Sequence, residues 1–287
     1  MSKPILVIAK KSIYEVYGLE RREPHFLQLL RSDNELAKDL MAANEDNRRA
    51  VEAVTGFLTK EGLSWEFGAY YGSVVDGHYS MVVSVGGDGT LLAASHRVGT
   101  TPILGINSRP GVSVGFFCPV SWSNFQSMFR DILSGKHPAS SLMRMEALIN
   151  GTRVGPPSLN DLLFSARSPA CMTVYRMEFE GREELQKSAG IWISTPAGST
   201  AAIMAAGGQG MELWERRMQF LVRECYCVRD IRGPLRSGMF ERGLKITNLT
   251  PEASVFVDGS RMIHNLNYGD VVEPVIAQEP LSIYLKR

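Results

Sequence analysis

The residues from Gly86 to Thr90, GGDGT, hold more potential chemistry than any other stretch of this sequence. Gly86, Gly87 and Gly89 remove side chains that would keep a diphosphate away from the backbone. The apolar run Met81–Val85 precedes them and reads as a strand buried on both faces. Thr90 opens Leu91-Leu92-Ala93-Ala94-Ser95, good helix formers without a breaker. Strand, glycine turn and helix start bring backbone N–H groups and a helix N-terminus up to a phosphate. A lone carboxylate in that turn, Asp88, repels phosphate. It must therefore cap the helix, hold a metal or take a proton. The plain alternative is that Asp88 caps the helix and the glycines only make the turn. The pattern is neither G-x-G-x-x-G nor a P-loop, since no Lys-Ser/Thr follows.

A second set of polar residues lies further along. Ser194 to Thr200 reads STPAGST. Thr195, Ser199 and Thr200 place hydroxyls around a Pro196/Gly198 turn, which could hydrogen-bond base and ribose edges or could simply cap a helix. Asn160 offers a donor and an acceptor, and ionised Asp161 accepts only; together they suit ribose hydroxyls and an amide or base edge. On its own, an Asn-Asp pair is more often a turn. Asp258-Gly259 is first a hairpin signal.

These residues need elements to hold them. Pro4–Ala9 reads as a first strand and Glu35–Glu61 as a long helix, with Leu36, Leu40, Ala43, Val51, Val54 and Leu58 at helical spacing and Gly62 to end it. Trp65 and Phe67 suggest a short strand, Pro102–Ile106 a buried one, and Trp122–Leu133 a helix. Alternating strands and helices predict an α/β layer domain over residues 1–138. Short strand-like runs then follow at Arg144–Ile149, Leu159–Ser165, Thr173–Phe179, Ile191–Thr195, Gln219–Arg223, Leu244–Thr247 and Ser254–Val257, with turn signals such as Asn150-Gly151 between them. They predict an all-β domain over 139–275, interrupted by one helical insert, Gly198–Ala206. Residues 276–287 carry a last strand, Leu281–Leu285, that could return to the first domain.

The chain has 287 residues, 44% hydrophobic and 21% charged, with a formal net charge of +1. That describes a soluble globular protein with no electrostatic case for a nucleic-acid or membrane partner. No apolar run approaches the roughly 20 residues of a membrane span. The start, MSKPILVIAKK, has no secretory or transit pattern, so a cytoplasmic protein is expected. Of Cys118, Cys171, Cys225 and Cys227, only the last two are near each other, and free thiols rather than a zinc site are expected.

GGDGT resembles the signature of NAD kinases, of diacylglycerol and sphingosine kinases and, more loosely, of phosphofructokinases. The other motifs narrow this. Ser194–Gly208, STPAGSTAAIMAAGG, resembles the NAD kinase pattern S-T-P-T-G-S-T-A-Y followed by two glycines. Leu159-Asn160-Asp161 resembles that family's Leu-Asn-Glu, Gly105-Ile106-Asn107 its G-[IV]-N, and Phe256–Gly259 with Gly269-Asp270 its C-terminal D-G and G-D pair. Asn107-Ser108-Arg109-Pro110 and Arg223-Glu224 resemble above all the short plant-type NADH kinases and the mitochondrial NAD kinases. Five residues, in four places, depart from the pattern. Asp161 is one methylene shorter than Glu, Ala197 replaces Thr or Ser, Ala202 replaces Tyr, and Ser188-Ala189-Gly190 stands where G-D-G is usual.

The resemblance implies a two-domain NAD kinase-like fold, with Rossmann-like α/β layers followed by an all-β domain. It implies transfer of the ATP terminal phosphoryl group to the 2′-hydroxyl of the adenosine ribose of NAD or NADH. Asp88 would be the general base. Gly86, Gly87, Gly89, Thr90, Asn107 and Ser108 would hold phosphate or nucleotide. Asn160, Asp161, Ala189, Thr195, Ala197, Gly198, Ser199, Thr200 and Ala201 would hold the dinucleotide. Mg²⁺ would arrive with ATP, with no metal site made by protein alone, and the chain would form a homodimer or homotetramer. The family's Asp in G-D-G resembles a residue near the nicotinamide end, so Ala189 bears on NADH against NAD⁺. Two alternatives stay open: a lipid kinase sharing GGDGT, or a non-catalytic NAD(P) sensor.

Overall fold

The computed structural model describes residues 3–32, 34–226 and 235–286. The chain divides into two compact units, Met1–Ser141 with Ser282–Arg287, and Leu142–Leu281.

In the first unit the apolar runs form one sheet, in the order Trp65–Phe67, Ile5–Ala9, Met81–Gly86, Ile103–Asn107, Leu281–Tyr284 and Ser140–Leu142, with Val120–Ser121 also paired to Ile103–Asn107. The pairings from Trp65–Phe67 across to Leu281–Tyr284 are parallel. Met81–Gly86 and Ile103–Asn107 are buried along their whole length, as continuous apolar strands in a covered parallel sheet must be. The long helix runs Glu35–Lys60. The Asn34 side chain accepts from the Ala37 N–H at 2.8 Å to start it, and Gly62, at φ 68°, lets the chain turn out of it. Its inner face sets Ala50, Val54, Phe57 and Leu58 on the sheet, and Phe57 meets Phe125 and Phe129 edge to face at 5.2 and 5.4 Å. The predicted Trp122–Leu133 helix starts three residues later, at Phe125. Two helical segments are additions to the sequence reading: a π-helical Tyr14–Glu20 and an α-helix, Pro24–Arg31.

The second unit is two six-stranded antiparallel sheets on one core. One runs Arg182–Ser188, Thr173–Phe179, Lys245–Asn248, Val271–Ile276, Met145–Ile149, Thr152–Ser158. The other runs Ser237–Phe240, Met218–Val222, Ile191–Ser194, Asp161–Ala166, Ala253–Val257, Met262–Leu266. Phe164, Tyr175, Met177, Ile193, Phe220, Ile246 and Val255 fill the space between them, and Phe164 and Tyr175 meet edge to face at 5.4 Å. Five of these strands escape the sequence reading because their apolar alternation is broken. Arg182–Ser188 turns Gln186 and Ser188 inward and leaves Leu185 71% exposed. Gln186 is held by the Leu235 carbonyl, and the Ser188 hydroxyl by Tyr175 at 2.9 Å. Thr152–Ser158 and Val271–Ile276 contain prolines, which argue against a strand from sequence alone. The predicted insert Gly198–Ala206 is helical only over Ala202–Ala205; the rest is turn.

Candidate active site

The glycine turn sits at the carboxyl end of Met81–Gly86, and the helix after it is Asp88–Ser95, with Gly87 as its N-cap. Asp88 is therefore a first-turn residue and not the cap. Its carboxylate does not bond the helix's own amides. Oδ2 accepts from the Phe116 N–H at 2.9 Å and Oδ1 from the Phe117 N–H at 2.8 Å. This rules out the plain capping reading and leaves a carboxylate clamped in one orientation, with a second lone pair on each oxygen. The three glycines differ in their reasons. A Cβ on Gly86 would stand 2.1 Å from the Thr90 hydroxyl, and one on Gly87 would stand 2.8 Å from the Ser113 hydroxyl. A Cβ on Gly89 would meet nothing within 4 Å, so Gly89 alone borders open space. Thr90 is buried.

Asn107 and Ser108 close the same turn from the neighbouring strand. Asn107 pairs with Gly86 in register, and the Ser108 N–H donates to the Gly86 carbonyl at 2.9 Å. Both side chains are buried. Asn107 Oδ1 accepts from the Arg109 N–H at 2.9 Å, and its Nδ2 donates to the Ser113 carbonyl at 3.3 Å. Asn107 thus shapes the 107–117 loop whose far end holds Asp88. The Cys118 thiol, buried beside this loop, is pushed up to about 12 by burial and by the Asp88 charge.

In the second unit Asn160, Asp161, Thr195, Ala197, Gly198, Ser199, Thr200 and Ala201 come together where Asp161–Ala166 and Ile191–Ser194 pair, with Ser194 opposite Asp161. A Cβ on Gly198 would lie 2.1 Å from the Asn160 carbonyl oxygen, so the two backbones touch. The Thr195 hydroxyl donates to the Leu159 carbonyl and accepts from the Gly198 N–H. The Ser199 hydroxyl donates to the Pro196 carbonyl at 2.7 Å and accepts from the Met211 N–H at 2.9 Å. The structure thus corrects the expectation that these two hydroxyls face a ligand: they are spent on building the turn. Ala197 is buried, while Thr200 is exposed and Ala201 partly so. The Asn160 side-chain Oδ1 is buried and has no hydrogen-bond partner.

The residue that organises this cluster is Asp258, which sequence reading takes first as a hairpin residue and then as part of the family's C-terminal D-G motif, without a site role. The hairpin is there, with Asp258 at φ 47° and Gly259 at φ 109°. Its carboxylate also accepts from the N–H groups of Leu159 at 2.9 Å, Asn160 at 2.8 Å and Asp161 at 3.0 Å, and from the Ser158 hydroxyl at 2.6 Å. Three successive amides aimed at one carboxylate fix the path of Leu159–Asp161. The signal that could have found it is an Asp-Gly turn one hundred residues after a Leu-Asn-Asp, invisible without the fold. The buried Asp161 carboxyl is pushed up to about 7, first by burial and then by the Asp258 charge. Burial thus favours its protonated form, which can donate a hydrogen bond where the ionised form only accepts.

Ala189 is apart from this cluster. It lies at the opposite end of Ile191–Ser194 from Thr195, and lines a cavity of about 220 Å³ with Ser165, Cys171, Arg223 and Glu224. The Arg223 Nη1 lies 3.5 Å from the Ala189 carbonyl, and its guanidinium sits 5.8 Å from the Trp192 ring centre. Cys227 of the C-x-C pair lies outside the described residues. Among the described residues no group of three His, Cys, Asp or Glu side chains could hold a metal, and no helix is long and apolar enough to cross a membrane.

The ATP-NAD kinase N-terminal domain family matches residues 31–137, which include the glycine turn and Asn107. A probable NADH kinase of Oryza sativa subsp. japonica is 34% identical over 219 residues, 67% of this chain and 67% of that protein. An NADH kinase of Arabidopsis thaliana is 28% identical over 229 residues, 71% of this chain and 72% of that protein. In fold, the chain is similar to an NAD kinase from Archaeoglobus fulgidus in complex with ATP, with TM-score 0.69 and 18% identity over 98% of this chain and 93% of that one. It is also similar to yeast NADH kinase complexed with NADH, with TM-score 0.71 and 16% identity over all of this chain and 84% of that one. With a relative this similar over two thirds of both chains, and a family match that spans the glycine turn, the chain belongs to the NAD kinase family.

Proposed function

We propose that this chain transfers the terminal phosphoryl group of MgATP to the 2′-hydroxyl of the adenosine ribose of NAD or NADH, yielding NADP or NADPH and ADP. The bond between the β,γ-bridging oxygen and the γ-phosphorus breaks as the bond from the 2′-oxygen to that phosphorus forms. Such transfer is mostly positioning and charge neutralisation. Gly89 leaves open space beside the turn where a diphosphate can approach the backbone. Magnesium enters with ATP as part of the substrate. Asp88 takes the 2′-hydroxyl proton: its two amide bonds hold the carboxylate still and leave each oxygen a lone pair to accept it.

The observation that carries the dinucleotide reading is the unpartnered, buried Oδ1 of Asn160. A buried amide oxygen without a donor costs stability unless a ligand supplies one. It lies in a segment that Asp258 holds by three amides, against Gly198, where a Cβ would press on the Asn160 backbone at 2.1 Å. An exocyclic amine or ribose hydroxyl is the kind of donor that fits. Carboxyl-bearing Asp161 beside it suits a ribose hydroxyl in either protonation state. We further propose a homodimer or homotetramer, for which the resemblance to the family is the support; sedimentation of the purified chain tests the assembly. The deciding experiment incubates purified protein with MgATP and either NAD or NADH and follows NADP or NADPH. Absence of both products with folded protein sinks the reading.

A further inference from the structure

The two amides that clamp Asp88 are not held alike. Phe117 is buried, and a Cβ on Gly105 would lie 2.5 Å from its carbonyl oxygen, so its backbone rests against the buried strand Ile103–Asn107. Phe116 has no such anchor. Its side chain is half exposed, and Val112 and Val114 before it are 69% and 91% exposed. Gly111, at φ 92°, and Gly115, at φ 63°, turn the chain through the left-handed region on either side of that stretch. A segment with so few buried contacts opens easily unless something ties it down.

Arg109 is the tie. Only 18% of its side chain is exposed; its Nη2 donates to Asp39 Oδ1 at 2.8 Å and its Nε to Asp46 Oδ2 at 3.2 Å. Asp39 and Asp46 lie two turns apart on one face of the Glu35–Lys60 helix, and a planar guanidinium with several donors can span both where an ammonium could not. The Arg109 backbone passes this hold along the loop. Its N–H donates to Asn107 Oδ1, and its carbonyl accepts from the Val112 N–H at 3.3 Å and the Ser113 N–H at 3.1 Å. Asn107 Nδ2 donates in turn to the Ser113 carbonyl, and a Cβ on Gly115 would stand 2.5 Å from that nitrogen. Asn107, Arg109, Ser113 and Gly115 thus form one packed turn that delivers the Phe116 N–H to Asp88. We propose that Arg109 is a positioning residue for the phosphoryl transfer: strapped to Asp39 and Asp46, it fixes the 107–117 loop so that Phe116 holds Asp88 Oδ2 and stops the carboxylate from rotating away from the 2′-hydroxyl. The inference rests on the phosphoryl-transfer reading above. A partly exposed ion pair contributes little to overall stability, whereas a small misplacement of a reacting group is costly in rate, so the strap matters for geometry more than for folding.

The test measures residue-resolved amide hydrogen exchange and steady-state turnover with MgATP and NADH on the full-length chain. Wild type is compared with Arg109→Met and with the double variant Asp39→Asn/Asp46→Asn, which removes both carboxylates at solvent-accessible helix positions without changing side-chain size. Arg49→Met, which breaks an ion pair with Glu45 on the same helix, is the control. The Phe116 amide is expected to exchange at least roughly tenfold faster in both strap variants, with the amides of Ile103–Asn107 within about twofold of wild type. In both, kcat should fall roughly ten- to hundredfold, the scale of a misplaced reacting group, and Arg49→Met should move neither quantity. In an Asp88→Asn background, Arg109→Met should lower kcat by no more than about a further twofold, because no base is left to position. Wild-type exchange at Phe116 in folded strap variants overturns the proposal, as does a loss of kcat that multiplies with the loss from Asp88→Asn. If Phe116 exchange responds as expected yet wild type forms no NADP or NADPH, the strap on Asp88 stands and the kinase reading fails.

Discussion

Gly198 presses its Cα face onto the backbone of Asn160, with room for a hydrogen and none for a methyl: a Cβ would lie 2.1 Å from the Asn160 carbonyl oxygen and 2.5 Å from its Cα. The same contact places the Thr195 hydroxyl on the Leu159 carbonyl and the Thr195 N–H on the Asn160 carbonyl. The Ser-Thr-Pro turn and the Leu-Asn-Asp segment are therefore one structural unit, and substitutions at the glycine act on both. Gly198→Ala is expected to destabilise the protein by about 1–3 kcal/mol, the usual cost of overpacking, and Gly198→Val by more. Urea unfolding measures this. A Gly198→Ala midpoint equal to wild type would mean the backbones are not in contact.

Asp88→Asn keeps the size of the side chain but turns one of its two acceptors into a donor facing an amide N–H. It should lower kcat by roughly 10²–10⁴-fold, the range for a lost general base, while NADH affinity changes little. The Phe116 and Phe117 amides lose part of their hold, so proteolysis near residues 113–117 should also quicken. A folded Asp88→Asn protein that turns over at near the wild-type rate removes Asp88 from the chemistry.

The Asp161 carboxyl is raised to about 7 from an ordinary value near 3.8. In the folded protein it holds its proton over a range where the unfolded chain has lost it, so the native state binds more protons between about pH 4 and pH 7. Stability from this group is complete below pH 4 and declines as pH rises through 7. Asp161→Asn is neutral throughout and should flatten the decline, gaining on the order of 2 kcal/mol over wild type at pH 8 compared with pH 5. Thermal unfolding across that range checks it, and parallel wild-type and variant curves would contradict it.

Arg223 beside Ala189 bears on the choice of dinucleotide. Position 189 supplies no carboxylate, and the Glu224 carboxylate that also lines this cavity lies 3.9 Å from the Arg223 guanidinium, which offsets its charge toward a positive ring placed there. We expect NADH to be used at least as well as NAD⁺. Ala189→Asp should shift the ratio of kcat/KM toward NAD⁺ by several-fold, since one charge pair at about 4 Å in a water-like medium contributes about 1 kcal/mol. A wild-type preference for NAD⁺ of tenfold or more, or an unmoved ratio in Ala189→Asp, would refute the electrostatic account.

Several features were legible in the sequence because they depend on neighbours in the chain. The buried strand before GGDGT, the Glu35–Lys60 helix and the antiparallel character of the second unit follow from periodicity and turn chemistry within a dozen residues. The Gly86–Thr90 turn was equally local, because strand, glycines and helix are contiguous. Other features depend on residues far apart in the chain and needed the fold. That Asp88 holds the Phe116 and Phe117 amides, and so is no helix cap, is a contact across twenty-eight and twenty-nine residues. Asp258 reading as a hairpin residue while holding three amides near Asn160 is a contact across almost one hundred. Burial, which raises the Asp161 carboxyl and strands the Asn160 and Asn47 side-chain oxygens, is a property of packed surroundings that residue types alone do not specify. Sequence determined which groups could do chemistry. Tertiary structure decided which of them are spent on holding the site and which are left over for a ligand, because a hydrogen bond already made inside the protein is not available outside it.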